Sequence, residues 1–527
     1  MSAKAGKVDA EILDSAQRQI AVRMRAAAGD DLAKRIWDKD DTLWGPAGQP
    51  EVANRLGWLT IANRMKDSVE RLQEFAAKAA ADGLTDCVLL GMGGSSLAPE
   101  VFWQSFGRKK GALRLHVLDT TDAGAIAAAP TENALYLVSS KSGGTLETLS
   151  AMAHFWERTG KDPSRFAVVT DPHTSLESLA KERGYREVFL ADPDIGGRYS
   201  ALSHFGLVPA ALIGADIEAL LDGAISTAQR WESTGHNGGL WLGVALGELA
   251  LEGHDKLTFA VDAPISALGL WAEQLVAESL GKHGKGILPI ADEPLQEPRV
   301  YGNDRVFLHI RSESNPEHDK ALAALAETGH PVLKIAFDEA VDLGALMFTL
   351  EFAIAVAGWA LSINPFDQPN VQSAKDKTNE VLEKGAGPID PADHVALAKL
   401  LDSEPPSYLA LQVYAAPSLQ IDSAMSKLRE QLVKKHGYAT TFGYGPRYLH
   451  STGQLHKGGP PTGRFLQIVS EGHKDVDIPG QKFSFEKLKR AQADGDLLTL
   501  RDHGLPAERL TIDGDIGAVL KQIEGAL

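Results

Sequence analysis

The chain has 527 residues, a length that at roughly 150 residues per domain allows three or four units. Its 44% hydrophobic and 23% charged residues are those of an ordinary globular protein rather than a disordered one. A net charge of −17 and an isoelectric point near 5.4 make nucleic acid and anionic membrane poor partners, so any anionic ligand must be caught by local backbone N–H groups and a few basic side chains. Cys87, the one cysteine, allows neither an intrachain disulfide nor a thiolate metal cage and points to a reducing compartment.

Residues 1–79 read as a mostly helical segment that wraps the next unit. Its first 37 positions are amphipathic and lack the continuous apolar core of a secretory signal, so the expected location is the cytoplasm. From about residue 80 the pattern changes. Short apolar runs at Cys87–Leu90, Leu115–Leu118, Leu135–Val138, Phe166–Val169 and Val188–Leu190 alternate with helical segments such as Leu146–Arg158 and Thr174–Arg183. Continuous apolar strands alternating with helices predict a doubly wound parallel sheet over residues 80–235.

A second unit of the same type is predicted over 236–385. It has strands at Leu257–Val261, Val306–Ile310 and Val332–Ile335 and helices at about Ser266–Leu280 and Glu317–Thr328. The run Ala345–Ile363 is long enough to cross a bilayer. Its Glu351 would be costly in lipid, so it is read as the buried helix of a large core, and no membrane contact is expected. Lys384–Pro391 reads as a linker. The remainder, 386–527, is an α/β extension with strands at Tyr408–Tyr414 and Phe465–Val469 and a helix at about Ser423–Lys435.

Chemistry is suggested at the strand ends. Gly91-Met-Gly-Gly-Ser-Ser96 follows the first strand, where glycines let backbone N–H groups approach an anion. Asp119 ends the next strand, where a ribose-binding acid would stand, and this keeps an NAD-dependent dehydrogenase open. The third strand ends in Ser139-Ser-Lys-Ser-Gly-Gly-Thr-Leu-Glu-Thr148, whose hydroxyls at Ser140, Ser142 and Thr145 suit one phosphate monoester, although such residues also cap helices. Gly196-Gly-Arg-Tyr-Ser200 suggests a guanidinium held against a tight turn. Gln274 and Glu278 lie one turn apart on one helix face, away from Leu268, Trp271 and Leu275. A proline-punctuated turn, Asn364-Pro-Phe-Asp-Gln-Pro-Asn370, follows the buried helix.

Taken in order, GMGGSSL, SSKSGGT, GGRYS, EQLVAESLGKHGKG and NPFDQPNVQSAK resemble the glucose-6-phosphate isomerase family over about residues 40–380. The tail GYGPRYLHSTGQLHKGG is similar to the isomerase half of bacterial fused transaldolase/glucose-6-phosphate isomerase proteins, here without a preceding transaldolase half. The resemblance implies two sugar-isomerase (SIS-type) α/β domains, a homodimer, a sugar-phosphate substrate and no cofactor. It implies the interconversion of glucose 6-phosphate and fructose 6-phosphate, a step of glycolysis and gluconeogenesis, through an enediol(ate).

By the same resemblance Ser140, Lys141, Ser142 and Thr145 would hold the phosphate, and Gly93, Gly94 and Ser95 would line the sugar. Arg198 would stand beside the developing enediolate. Glu278 would shuttle the proton between C2 and C1 with Gln274 one turn before it, and Gln368 and Lys375 would sit near the ring oxygen. The sequence departs from the family at Asn370, at Gln372, and in having no match between Arg311 and Gly344 for the histidine segment that many members use to open the ring.

The chemistry asks for one carboxylate base on one face of a planar enediol and a cation where negative oxygen develops. No metal is required, and His309, His330, His450 and His456 show no ligand spacing with carboxylates. Two other readings remain: a dehydrogenase with NAD near Asp119, and a sugar-phosphate-sensing regulatory protein, for which Glu278 would have no task. For ring opening, Lys375 is one expected proton carrier. The other is sought in a water molecule, in His450 and His456 of a glycine-rich basic loop, or in His330, whose place before Pro331 at a strand start suits a structural role.

Overall fold

The computed structural model describes residues 7–12, 14–232, 235, 237–472 and 474–527. A short strand, β1 (Val8–Glu11), precedes the helices of the N-terminal segment. The first sheet comprises β2 (Asp86–Gly91), β3 (Arg114–Leu118), β4 (Ala134–Ser139), β5 (Phe166–Thr170) and β6 (Glu187–Leu190), all parallel, in the order β3-β2-β4-β5-β6. The central β4 is buried throughout its length, as an apolar run covered on both faces should be.

The second sheet holds β7 (Lys256–Val261), β8 (Leu288–Ile290), β9 (Arg305–Ser312) and β10 (Val332–Phe337), and β1 closes its edge in the order β1-β10-β9-β7-β8. Only the β1–β10 pair is antiparallel. The N-terminal segment therefore does not wrap the first unit alone. β1 extends the second sheet, and Trp44 Nε1 donates to the Ala355 carbonyl at 2.8 Å on that unit's central helix, while Phe75 stacks edge-on against Phe189 of the first unit. The sequence puts apolar residues on these N-terminal helices wherever either unit offers a face to cover.

The helix Leu343–Leu361 is long and apolar enough to cross a membrane, but 89% of its most apolar window is buried inside the protein. It packs closely against the helix Gly238–Leu251. A Cβ at Gly243 would come within 2.3 Å of the Ala353 carbonyl oxygen, so glycine is what permits this approach. Phe352 is fully buried there against Trp37, Trp58 and Trp231. Truncating it to alanine should cost about 3–5 kcal/mol.

Beyond the irregular stretch 385–393, the tail builds a third sheet. β11 (Tyr408–Tyr414), β12 (Ala439–Tyr444), β13 (Gly463–Glu471) and β14 (Ala507–Asp513) are parallel in the order β12-β11-β13-β14. Two ion pairs dock this unit on the first: the fully buried Lys489 Nζ to Asp122 Oδ2 at 3.0 Å and the half-buried Arg447 Nε to Asp119 Oδ2 at 2.7 Å. The segment leaving β12, Arg447 to Gly458, thereby enters the cleft between the first two units, beside the carboxyl ends of β2 and β4, where open α/β sheets bind ligands.

Candidate active site

Glu278 and Gln274 lie on the helix Leu268–Leu280, both buried. Gln274 Nε2 is 3.3 Å from Glu278 Oε2 and donates to the His450 carbonyl at 2.8 Å. Arg198, 2% exposed, sits in a single helical turn Gly197–Tyr199 and brings its Nη1 to 3.6 Å from Glu278 Oε2. The rest of its guanidinium is fixed. Nε donates to Ser279 Oγ at 2.8 Å, Nη1 to Gln368 Oε1 at 3.2 Å, and Nη2 to the Pro365 and Asp367 carbonyls at 2.7 and 2.9 Å. The proline-punctuated turn is thus a cradle for this arginine, with Gln368 part of it.

Burial raises the Glu278 carboxyl above the ordinary range, against the pull of Arg198, His450 and Lys282. A carboxylate so placed is more basic than one in water, which suits proton abstraction. Lys282, one turn further on, is fully buried between the Asn364 carbonyl at 2.6 Å and Asp367 Oδ1 at 2.7 Å. Burial and the nearby Arg198 push its ammonium down to about 7.

The glycine loop closes over this group. Gly93 has φ +57, and a Cβ there would meet the His450 carbonyl oxygen at 2.6 Å and Gln274 Nε2 at 2.8 Å. A Cβ at Gly94 would fall 2.0 Å from the Gly197 carbonyl oxygen. These two glycines let the loops carrying His450, Gln274 and Arg198 converge. Ser95 is buried beside them.

Adjacent to this group is a cavity of about 320 Å³, lined by Ser142, Thr145, Glu147, Lys375, His450 and Lys457 among others. Its size falls within the range of small-molecule sites. Ser140 Oγ and Thr145 Oγ1 are 2.9 Å apart, and Gly144 N–H donates to Ser142 Oγ at 3.3 Å, so the hydroxyls form one compact loop ahead of the helix Leu146–Arg158. Lys141 does not join them. Its ammonium pairs with Asp171 at the end of β5 and turns away from the cavity lining.

The histidines separate. His450 reaches the cavity, and its Nε2 lies 2.9 Å from Glu147 Oε1, which also accepts from Gln492 Nε2 at 2.7 Å. Burial raises the Glu147 carboxyl, but the His450 imidazole and Lys375 outweigh it and hold the group below its usual range. His456 is buried among Tyr408, Tyr448 and Phe465, where burial depresses its pKa strongly, and it borders a different cavity, of about 440 Å³, against β11 and β12. His330 packs against Tyr301 and Phe307 with Nε2 3.3 Å from the Pro298 carbonyl, a structural setting remote from the cleft.

In the sequence Glu147 is only one letter of a hydroxyl-rich loop. The signal that marks it is spatial, namely the imidazole brought to it from the third unit. The same unit disposes of Asp119, whose Oδ2 accepts from both Ser96 Oγ at 3.0 Å and Arg447 Nε at 2.7 Å. A buried carboxylate committed in this way is no free ribose ligand, and the dinucleotide reading loses its one specific residue. His309, on β9, and His318, just ahead of the helix Asp319–Glu327, do find a carboxylate, Asp262, which follows β7.

The phosphoglucose isomerase family model matches residues 47–285, from the N-terminal segment to just beyond Glu278. The glucose-6-phosphate isomerase of Rubrobacter xylanophilus is 30% identical over 371 residues, which cover 59% of this chain and 86% of that protein. That of Mycoplasmopsis pulmonis is 28% identical over 392 residues, 62% of this chain and 90% of its own. Among solved structures, a hypothetical protein from Thermus thermophilus superposes with a TM-score of 0.62 at 24% identity, covering 71% of this chain and all of its own. A glucose-6-phosphate isomerase from Chlamydia trachomatis gives 0.60 at 19%, over 72% of this chain and 89% of its own, a likeness of fold.

Proposed function

This chain belongs to the glucose-6-phosphate isomerase family, and from that premise we propose how its own residues carry the reaction. It interconverts glucose 6-phosphate and fructose 6-phosphate. The observation that carries the residue assignment is the convergence of a buried, basic carboxylate (Glu278), a fixed guanidinium (Arg198) and an imidazole held by a second carboxylate (His450 and Glu147) beside one hydroxyl-lined cavity.

Ser140, Ser142 and Thr145, with the backbone N–H groups of their loop, bind the phosphate. Lys375 on the cavity wall supplies positive charge in a chain that otherwise repels anions; Lys457 also lines the cavity, but its buried ammonium is already paired with Asp496 at 2.6 Å. Binding at the phosphate positions C1 and C2 without taking part in their chemistry. His450 and Lys375 move a proton between O1 and O5 to open the ring, with Glu147 fixing the imidazole. Glu278 then removes the C2 proton and returns it to C1 on the same face of the enediolate, whose oxygen charge Arg198 offsets. Gln274 holds the base in place, and Gln368 orients Arg198. A sugar-phosphate sensor would need the phosphate loop but not this proton-transfer set.

A coupled assay in EDTA, reading glucose 6-phosphate formed from fructose 6-phosphate, tests the reading. Turnover is expected, and its absence with both sugar phosphates would overturn it. The reading also takes the protein as a cytoplasmic homodimer, on the family likeness and the one buried cysteine, Cys87. Sedimentation velocity checks the assembly.

A further inference from the structure

Away from the cleft, three side chains from separate segments meet at the carboxyl edge of the second sheet. Asp262 follows β7, His309 lies within β9, and His318 immediately precedes the helix Asp319–Glu327. The parallel register explains the meeting. Ala260 pairs with His309, so Asp262, two residues on, points to the same face of the sheet as the imidazole. His309 Nε2 is 3.0 Å from Asp262 Oδ2, and His318 Nδ1 is 2.5 Å from Asp262 Oδ1. The candidate donor atoms of the three residues all lie within 4.8 Å of one another.

The surroundings are those of a metal site rather than of a simple hydrogen-bonded pair. The Ser312 and His318 backbone N–H groups donate to the two Asp262 oxygens at 2.9 and 3.3 Å, fixing the carboxylate. The far nitrogen of His309, Nδ1, is buried with no hydrogen-bond partner among the described residues, and it faces Asp319 Oδ1 at 3.7 Å. Asp319 is in turn held by Arg311 through Nε and Nη2 at 2.8 and 2.9 Å. An imidazole that offers one nitrogen to a metal and turns the other toward an anchored carboxylate is the usual outer arrangement of such sites. Asp262 and the His309 side chain are fully buried, while the His318 side chain is 30% exposed and leaves a way in.

We propose that Asp262, His309 Nε2 and His318 Nδ1 bind one divalent transition-metal ion, zinc best matching two imidazoles and one carboxylate. The ion takes the place of the protons now shared between the imidazoles and the carboxylate. Donor separations of 2.5 and 3.0 Å open slightly on loading, toward the wider spacing of a tetrahedral site with its fourth position to solvent. The site ties the ends of β7 and β9 to the following helix. Asp262 precedes the Leu268–Leu280 helix while Glu278 stands near that helix's C-terminal end, and the site is assigned no part in isomerisation.

The test uses the full-length untagged protein, stripped with EDTA, dialysed and titrated with Co2+. One equivalent should bind with the visible bands of a low-coordinate cobalt site, zinc should displace it, and zinc should raise Tm. Asp262→Asn, which keeps shape and hydrogen bonding, and His318→Ala, at the more exposed ligand, should each abolish the bands and the Tm gain. Glu278→Gln should retain both. Absence of a stoichiometric cobalt band in the wild type, or its persistence in both ligand variants, overturns the proposal. Neither result bears on whether the protein isomerises sugar phosphates.

Discussion

The Nε2 atom of His450 lies 2.9 Å from Oε1 of Glu147, although 303 residues separate them. Glu147 opens the helix after the phosphate-type loop, and His450 arrives on a segment of the third unit that ion pairs at Asp119 and Asp122 hold against the first. The tail is therefore part of the cleft.

His450→Asn should slow ring opening. With glucose 6-phosphate, which binds as a closed ring, kcat should fall on the order of 10²-fold or more, as loss of a general acid–base does. With 5-deoxyfructose 6-phosphate, which cannot close a furanose ring, the loss should be much smaller. Equal losses on both would assign His450 a structural role.

Glu278→Gln keeps shape and hydrogen bonding but removes the base. On the order of 10²–10⁴-fold should be lost in kcat with KM little changed. Exchange of the C2 proton with solvent deuterium should stop in parallel. Near-normal turnover would move the proton shuttle elsewhere.

Much of the fold is legible in the chain, because β2, β4, β5 and the Leu343–Leu361 helix are nearly continuous apolar runs. The strands that escape are short or half-polar. β8 has three residues, β1 reads Val-Asp-Ala-Glu, β12 Ala-Thr-Thr-Phe-Gly-Tyr and β14 Ala-Glu-Arg-Leu-Thr-Ile-Asp, all at sheet edges where one face meets solvent or a helix. In the cleft, Glu278, Gln274 and Arg198 announce themselves through local motifs. Glu147 looks like any first-turn acid, and Asp262 looks like a loop residue until β7 and β9 are placed side by side. Lys141 shows the converse, since its motif suggests phosphate but Asp171 on the next strand captures it.

Ser142→Ala and Thr145→Ala should act on binding. A hydroxyl donating to a dianionic phosphate is a hydrogen bond to a charged group, so KM should rise roughly 10–100-fold for each, with kcat largely kept. Inorganic phosphate should inhibit these variants less well than the wild type. An unchanged inhibition constant would separate the loop from the phosphate.

The acid limb of kcat/KM should report the Glu278 carboxyl of the free enzyme, raised above the ordinary range by burial. Lys282, its pKa pushed down to about 7, carries its charge below that pH and there favours the carboxylate. Lys282→Met removes the cation, so Glu278 must hold its proton to higher pH and the limb should move in the alkaline direction. A limb that stays in place would show that Lys282 serves only the turn through Asn364 and Asp367.

Glu351 lies in the middle of the Leu343–Leu361 helix, fully buried, with neither carboxyl oxygen hydrogen-bonded among the described residues. Burial alone raises its pKa well above the ordinary value of 4.5. The folded chain thus keeps a proton that the unfolded chain releases once pH passes about 4.5. The group's favourable share of stability is complete below that pH and declines as pH rises, by about 1.4 kcal/mol per unit while only the unfolded chain ionises. Glu351→Gln keeps the shape and removes the ionisation. The variant should match the wild type in chemical denaturation near pH 4 and become progressively more stable than it toward pH 8. If the gap between the two proteins stays flat across that interval, Glu351 is already ionised in the fold, and the helix interior must supply it with a partner.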